Sequence, residues 1–247
     1  MSRDSLAFFR EQPGFWSVHL LFWGVGFAAL GWLGYQESFL WLHSLHTPWL
    51  DAIMPHFTHI GDGLLLASGA SLLLTRKSVP LALVAILSML STLIAINLLK
   101  NGFFSDWARP LGTFGIDHPE LDYLSVRELR SRSFPSGHAC ASAAAMSLIS
   151  FGYTRHKWLS GILMGVFAIL LYESRVYIGV HFLGDILVGS LLGIALSALS
   201  LWLFGGRLTN WWEARSMTFR RRFKVGLNLL SILLLLVSIS QIILRFY

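Results

Sequence analysis

The sequence predicts an all-α, polytopic transmembrane helical bundle with six core spans and one extra helix near the C-terminus. Of its 247 residues, 55% are hydrophobic and only 13% are charged, whereas a soluble domain usually carries about 25% charged residues. The apolar residues form long runs separated by short polar segments, which is typical of a chain whose surface is largely covered by lipid. The ten Trp residues agree with this prediction, since aromatic side chains concentrate at membrane–water interfaces.

Each apolar run predicts one helix. In chain order, the runs cover residues 19–35, 59–74, 79–99, 139–153, 158–176, 185–204 and 225–244. The first run is interpreted as an anchor, because no small-x-small cleavage site follows it. A spanning helix needs about 20 residues, so the second and fourth runs are short. We expect flanking segments to extend them or neighbouring helices to shield them from lipid. The last run either crosses the membrane, lies at its interface or packs against a partner.

The basic residues predict the orientation of the bundle. The segments at residues 75–78, 153–157 and 207–224 are rich in Lys and Arg, and counting spans places all three on one side, which is then cytoplasmic. This arrangement also explains the net charge of +6 without a nucleic-acid partner, so none is expected. The single cysteine, Cys140, excludes an intramolecular disulfide and any multi-cysteine metal site.

Three segments on the opposite, non-cytoplasmic side place ionisable residues at the mouths of apolar helices, where such residues are costly and are candidates for function. In one of them, His181 and Asp185 are four residues apart. If both are helical they share a face, and the carboxylate then fixes the imidazole tautomer and leaves one ring nitrogen free to react. Arg175 precedes them and offers a planar fork of donors to a phosphate.

A second segment, at residues 135–138, suits an anion equally well. Ser136 is a good N-cap, and Gly137 allows the backbone to approach a ligand closely. The helix that begins here directs free N–H groups and the positive end of its dipole toward this side. His138 lies at the same mouth and is a candidate general acid.

A third segment adds two cations, Lys100 and Arg109. Together with Arg175 they form a positively charged surface beside two histidines, and the natural complement of such a surface is an anion such as phosphate.

Two of these segments resemble the signatures of the type 2 phosphatidic acid phosphatase (PAP2) superfamily of integral-membrane lipid phosphatases. Residues 135–138 match Pro-Ser-Gly-His. Residues 174–185 match Ser-Arg, followed by His after five intervening residues and Asp after three more. The first signature departs: eight residues separate Lys100 from Arg109 instead of six, and Gly102 stands at the expected lysine position. Either Lys100 reaches the site through a bulged loop, or the site lacks this lysine.

The resemblance covers about residues 50–205 of what we interpret as one membrane-embedded domain, and it implies roles for the site residues. His181 attacks phosphorus to form a phosphohistidine, Asp185 orients it, and His138 protonates the leaving group. The residues implied to hold the phosphate oxygens are Lys100, Arg109, Ser136, Gly137 and Arg175. The implied activity is hydrolysis of a lipid phosphate or diphosphate without metal or other cofactor.

The resemblance also implies a location in a bacterial inner membrane, among membrane lipids, with the site facing the periplasm or exterior. The candidate substrates are undecaprenyl diphosphate, phosphatidate, phosphatidylglycerophosphate and lipid A phosphates. The sequence does not choose among these lipids, and it does not indicate an oligomeric state.

Other interpretations stay open at this point. The same residues suit a lipid phosphotransferase, which passes the phosphoryl group to a second lipid, or a non-catalytic phospholipid-binding protein. His56, His59 and Asp62 have a spacing that a metal site could use, although polar residues at the start of an interfacial helix look the same.

Overall fold

The computed structural model describes residues 7–119, 121–124, 128–153 and 156–244, without the side chain of Lys157. Within these ranges the chain is helical apart from its connecting segments. The α-helices are α1 (Ala7–Arg10), α2 (Pro13–Leu33), α3 (Tyr35–His43), α4 (Pro48–Phe57), α5 (Gly63–Thr75), α6 (Val79–Leu98), α7 (Pro110–Phe114), α8 (Gly137–Gly152), α9 (Lys157–Tyr177), α10 (Leu183–Glu213) and α11 (Met217–Ile243). A 3-10 turn, Thr58–Gly61, follows α4, and a π-helical turn, Leu99–Phe103, extends α6.

The described residues confirm the prediction of a transmembrane helical bundle. Five helices, namely α2, α6 with its π-helical turn, α9, α10 and α11, are long and apolar enough to cross a membrane. The segment Pro48–Gly61 and helix α5 make a sixth candidate if they act as one span, bent by 65°. As one span, the short second run would be extended by the segment that precedes it. Asp62 lies at the bend and caps α5, since its carboxylate accepts a hydrogen bond from Leu64 N at 3.0 Å.

Helix α8 lies at the centre of the bundle. It has only 16 residues, and its positions from Ala139 to Ser150 are all buried. Its neighbours are α5, α6, α9 and α10, so protein and not lipid surrounds it. The helix is too short to cross the whole bilayer by itself. It is stable there because the neighbouring helices separate it from lipid.

The predicted ends of the last two helices were wrong. The structure extends α10 to Glu213 and begins α11 at Met217, so the basic stretch at residues 207–224 is mostly helical and is not a linker. Arg and Lys favour helices and can extend their charged ends toward water, and Ser216 caps α11 by accepting from Phe219 N at 3.3 Å. In the basic linker at residues 153–157, residues 154 and 155 lie outside the described ranges.

Three connecting segments meet at one end of the bundle. Backbone hydrogen bonds join the segment after α6 to the segment before α8, from Arg109 N to Arg130 O at 2.9 Å and from Ser133 N to Trp107 O at 3.0 Å. Another joins Ser136 N to Asp185 O at 3.0 Å, which connects the start of α8 to the start of α10. The three predicted site segments are thereby held together by the backbone itself.

Candidate functional site

His181 and Asp185 pair at the start of α10, but not as two residues of one helix. Only Asp185 is helical, and His181 lies just before Phe182, the N-cap. The Asp185 carboxylate accepts from Phe182 N at 3.0 Å and contacts His181 Nδ1 at 3.0 Å. A carboxylate in the first turn caps the free N–H groups of a helix, and in this position it also reaches the residue that precedes the helix. The condition for a shared helical face, that both residues are helical, is therefore not met, although their contact is present.

The surroundings of His181 determine which ring nitrogen carries the proton. Arg109 Nη1 lies 3.2 Å from His181 Nε2. A guanidinium group can only donate, so Nε2 is the accepting nitrogen and Nδ1–H donates to Asp185. Burial, followed by the positive charge of Arg109, lowers the pKa of His181 well below its usual value and keeps the ring neutral. The imidazole thus presents a lone pair on Nε2 to a cluster of cations.

The Arg109 guanidinium is held in place by backbone carbonyl groups. It donates from Nη1 to Val180 O at 2.8 Å, from Nε to Ser131 O at 2.8 Å and from Nη2 to Arg132 O at 3.1 Å. Since these acceptors come from two different loops, the side chain is fixed between them with its Nη1 directed at His181.

Lys100 reaches the same place. It lies in the π-helical turn after α6 and donates from Nζ to Arg132 O at 2.9 Å and toward Ser133 O at 3.4 Å. Lys100 and Arg109 therefore share the Arg132 carbonyl group. A Cβ added to Gly102 would meet open space, so the expected lysine position faces away from packed protein. The wider π-helical turn accommodates the longer spacing between Lys100 and Arg109. The lysine at the site is therefore Lys100, two positions before the expected one.

Arg175 supplies a third cation and an unused donor. It lies in the last turn of α9, is 7% exposed, and donates from Nη1 to Thr58 Oγ1 at 2.9 Å. Its buried Nε has no hydrogen-bond partner among the described residues. A buried donor without a partner is costly, and an oxygen of a bound anion would satisfy it. The positive charges of Arg109, Lys100 and Arg175 all act on His181.

The Pro-Ser-Gly-His segment lies against the start of α10. The Ser136 hydroxyl accepts from Ala139 N at 3.4 Å and caps α8. His138, in the first turn of α8, packs on the bend before α5, because a Cβ at Gly61 would lie 3.2 Å from His138 Cδ2. A Cβ at Gly137 would lie 3.3 Å from Ile96 Cγ2, so any larger residue there would crowd α6.

The possible metal site at His56, His59 and Asp62 receives no support from the part of the chain that the structure describes. No group of three His, Cys, Asp or Glu residues in these ranges could hold a metal ion. Asp62 instead caps α5, as polar residues at a helix start commonly do.

Two groups that hold Asp185 were missed by the sequence analysis. The Tyr35 hydroxyl donates to Asp185 Oδ1 at 2.5 Å, and the Ser133 hydroxyl donates to Oδ2. Trp107 Nε1 in turn donates to the Tyr35 oxygen at 3.2 Å. Ser133 could have been suspected from its place just before the Pro-Ser-Gly-His segment. No spacing or composition signal connects Tyr35 to Asp185, which is 150 positions away along the chain.

Comparisons with known proteins agree with this arrangement. The model of the PAP2 superfamily matches residues 81–209, which include the three segments of the site. A curated relative, phosphatidylglycerophosphatase B of Bacillus subtilis (strain 168), is 29% identical over 164 residues, covering 62% of this chain and 74% of the relative.

Two solved structures are also similar to this chain. Aquifex aeolicus LpxE superposes with a TM-score of 0.57 at 26% identity and covers 68% of this chain and 94% of its own. A transmembrane PAP2-type phosphatidylglycerolphosphate phosphatase from Bacillus subtilis superposes with a TM-score of 0.53 at 28% identity, covering 76% of this chain and 94% of its own. The family match, these structural neighbours and the apolar helices lead to one conclusion: the chain belongs to the PAP2 superfamily and is an integral-membrane lipid phosphatase.

Proposed function

We propose that the protein hydrolyses a lipid phosphate through a covalent phosphohistidine on Nε2 of His181. The observation that carries this proposal is the pair of contacts at the His181 ring. Nδ1 lies 3.0 Å from the Asp185 carboxylate and Nε2 lies 3.2 Å from Arg109, so the proton is assigned to Nδ1 and the lone pair to Nε2. A nucleophile needs an unprotonated lone pair. Here the lone pair on Nε2 accepts a hydrogen bond from Arg109, and an oxygen of the bound phosphate would replace Nε2 as the acceptor for that guanidinium.

The first half-reaction transfers the phosphoryl group to the protein. Nε2 of His181 forms a bond to phosphorus while the bond between phosphorus and the lipid oxygen breaks. The negative charge of the bound phosphate favours the protonated form of His138, which gives its proton to the departing alkoxide. Arg109, Lys100 and Arg175 stabilise the negative charge on the non-bridging oxygens, and the unpaired Nε of Arg175 gains an acceptor.

The second half-reaction hydrolyses the phosphohistidine and returns His181 to its free form. A water molecule attacks phosphorus, His138 accepts one proton of that water, and the bond between phosphorus and Nε2 breaks to release inorganic phosphate. Asp185 keeps Nδ1–H oriented throughout and stabilises the imidazole as its charge changes. Ser136 and Gly137 complete the phosphate site at the start of α8, where the helix dipole favours an anion.

Phosphatidylglycerophosphate is the first substrate to test. Both the curated relative and a solved neighbour from Bacillus subtilis are named for this lipid. We propose further that the site faces the non-cytoplasmic side of a bacterial inner membrane, because the basic segments lie at the opposite end of the helices.

The test is phosphate release by the purified protein in detergent with a chelator present. Wild type should release phosphate from phosphatidylglycerophosphate, and His181→Ala should lower kcat by at least about a thousandfold, since a removed nucleophile leaves only binding and charge stabilisation. Asp185→Asn should leave a small residual activity. His46→Ala is the matched control, because His46 contacts Asp51 at 2.7 Å outside the site, and it should behave as wild type. Normal turnover by His181→Ala would rule out the phosphohistidine.

A further inference from the structure

A cavity lies inside the bundle between α5, α6, α8 and α11. Its volume is about 530 Å³, which is within the range of roughly 300–1,000 Å³ that is typical of ligand sites. Gly137 and His138 line its inner end, and both belong to the proposed active site. The cavity therefore borders the place where the phosphate is expected to bind.

The cavity extends along α6 by about the thickness of one lipid leaflet. Ile86 and Ile96 both line it, and at about 1.5 Å of rise per residue they are about 15 Å apart along the helix axis. The hydrocarbon core of a bilayer is about 30 Å thick, so this distance is about half of it. A lipid with its phosphate at His138 would have its chain at the same depth as the cavity.

The cavity also opens toward lipid. Leu90 and Leu93 of α6 and Leu230 of α11 line its edge and are 49%, 58% and 52% exposed. Met89 and Thr92, which line its interior, are buried. A chain could thus enter from the bilayer between α6 and α11 without leaving a hydrocarbon environment.

Helix α11 packs against α5 and forms one wall of this cavity. Ser231 donates from its hydroxyl to Ser71 Oγ of α5 at 2.9 Å, and both side chains are buried. Both residues line the cavity, as does Leu234 one turn further along α11. The family match ends at residue 209, so this wall is added to the part of the chain that the family model describes.

We infer that the cavity binds the hydrocarbon chain of the lipid phosphate and that α11 determines which chains fit. The inference rests on the proposed function, since it takes a lipid phosphate as the ligand of His138. In a bilayer the chain is already surrounded by hydrocarbon, so burial in the cavity adds little hydrophobic driving force. Selection then depends on shape and close packing against the walls, and α11 supplies the outer wall.

The test fills the cavity from α11 and compares two forms of one substrate. Leu227→Trp places a larger side chain at the end of the wall that is further from His138, because α11 runs toward the site end of the bundle. Leu233→Trp is the matched control, because Leu233 is 57% exposed and is not among the residues that line the cavity. The probes are dipalmitoyl and dihexanoyl phosphatidylglycerophosphate in detergent. Leu227→Trp should lower kcat/KM for the dipalmitoyl form by about tenfold, the scale on which apolar pockets discriminate. It should leave the dihexanoyl form unchanged, and Leu233→Trp should change neither.

The outcomes separate this inference from the proposed function. An equal loss on both probes, or no loss on either, would overturn the role of the cavity. If Leu227→Trp is not monodisperse in detergent, Leu230→Trp replaces it under the same criteria. Phosphate release by wild type that persists in His181→Ala would instead reject the phosphohistidine, and failure of wild type on both probes would reject phosphatidylglycerophosphate as the substrate.

Discussion

The Asp185 carboxylate is held by donors from four different residues. Tyr35 donates to Oδ1, whereas Ser133, His181 and the backbone N–H of Phe182 donate to Oδ2. Donors on both oxygens fix the plane of the carboxylate, and the carboxylate in turn fixes the plane of the imidazole. Tyr35 is suited to this because burial, and then the neighbouring Asp185, raise the pKa of its hydroxyl, so it remains a donor.

Tyr35→Phe should lower kcat while leaving KM close to wild type. The variant removes one hydrogen bond to a charged group, worth about 1.5–3 kcal/mol, and if about half of this applies in the transition state kcat falls by about 4- to 13-fold. Tyr177→Phe is the control, because it removes a similar bond, from the Tyr177 hydroxyl to Asp51 at 2.6 Å, outside the site. Steady-state kinetics on a lipid phosphate would measure both variants. A rise in KM with unchanged kcat would show that Tyr35 binds substrate and does not position Asp185.

Arg109→Ala should cost more activity than Lys100→Ala. Arg109 contacts His181 and holds two loops through three carbonyl groups, whereas Lys100 donates only to the loop at residues 132–133. We expect kcat/KM to fall by about 10²–10³-fold for Arg109→Ala, as for loss of a transition-state donor, and by about tenfold for Lys100→Ala.

Phosphate release at several substrate concentrations would give these ratios. The control is Arg130→Ala, since Arg130 is exposed and pairs with Glu128 at 3.3 Å, and it should stay within about twofold of wild type. A larger loss for Lys100→Ala than for Arg109→Ala would contradict this order.

At the scale of elements, the contact between α8 and α10 positions the site. A Cβ at Gly189 would lie 2.6 Å from Ser136 O, and one at Gly193 would lie 2.1 Å from Cys140 O. The two glycines are four residues apart and so share one face of α10. Small residues at this spacing let helix backbones approach closely. The start of α8, with Ser136 and His138, is thereby held against the start of α10, with Asp185.

Gly193→Ala should destabilise the protein and reduce its activity. The new methyl group would have to displace backbone, at a cost of about 1–3 kcal/mol, and would push α8 away from α10. The matched control is Gly69→Ala in α5, where an added Cβ meets open space and Ala favours the helix by about 1 kcal/mol. Thermal unfolding in detergent should give a lower midpoint for Gly193→Ala and an equal or higher one for Gly69→Ala. Equal midpoints for both variants would show that α8 and α10 do not depend on this close approach.

The helices were predictable from the sequence because each apolar run is long, whereas their ends were not. Basic residues such as Arg220 interrupt the apolar pattern but favour a helix, so α10 and α11 extend beyond the runs that predicted them. The spacing of His181 and Asp185 indicated that they are in contact. The structure shows that this contact forms because Asp185 caps the start of α10 and from there reaches His181. Tyr35 and Ser133 were missed because hydrogen bonds between distant loops leave no periodic pattern along the chain.

At the scale of the whole molecule, the charged residues and the apolar cavity lie at different levels along the helix axes. The cations of the site lie at one end, the cavity extends from the site through about one leaflet, and the basic residues around Arg215 lie at the other end of α10. This polarity matches a lipid whose phosphate lies at the membrane surface and whose chains lie in the bilayer. The orientation of the protein therefore determines which leaflet of the membrane supplies its lipid substrate.

Labelling of single cysteines would determine that side. The basic segments predict that the segment between α6 and α8 is non-cytoplasmic and that the turn between α10 and α11 is cytoplasmic. In a Cys140→Ala background, an impermeant thiol reagent should label Asp117→Cys in intact cells and Ala214→Cys only after lysis. Both positions are exposed in the structure, so a difference between them reports the membrane barrier and not burial within the protein. Labelling of Ala214→Cys in intact cells, with Asp117→Cys protected, would invert the orientation and place the phosphatase site on the cytoplasmic leaflet.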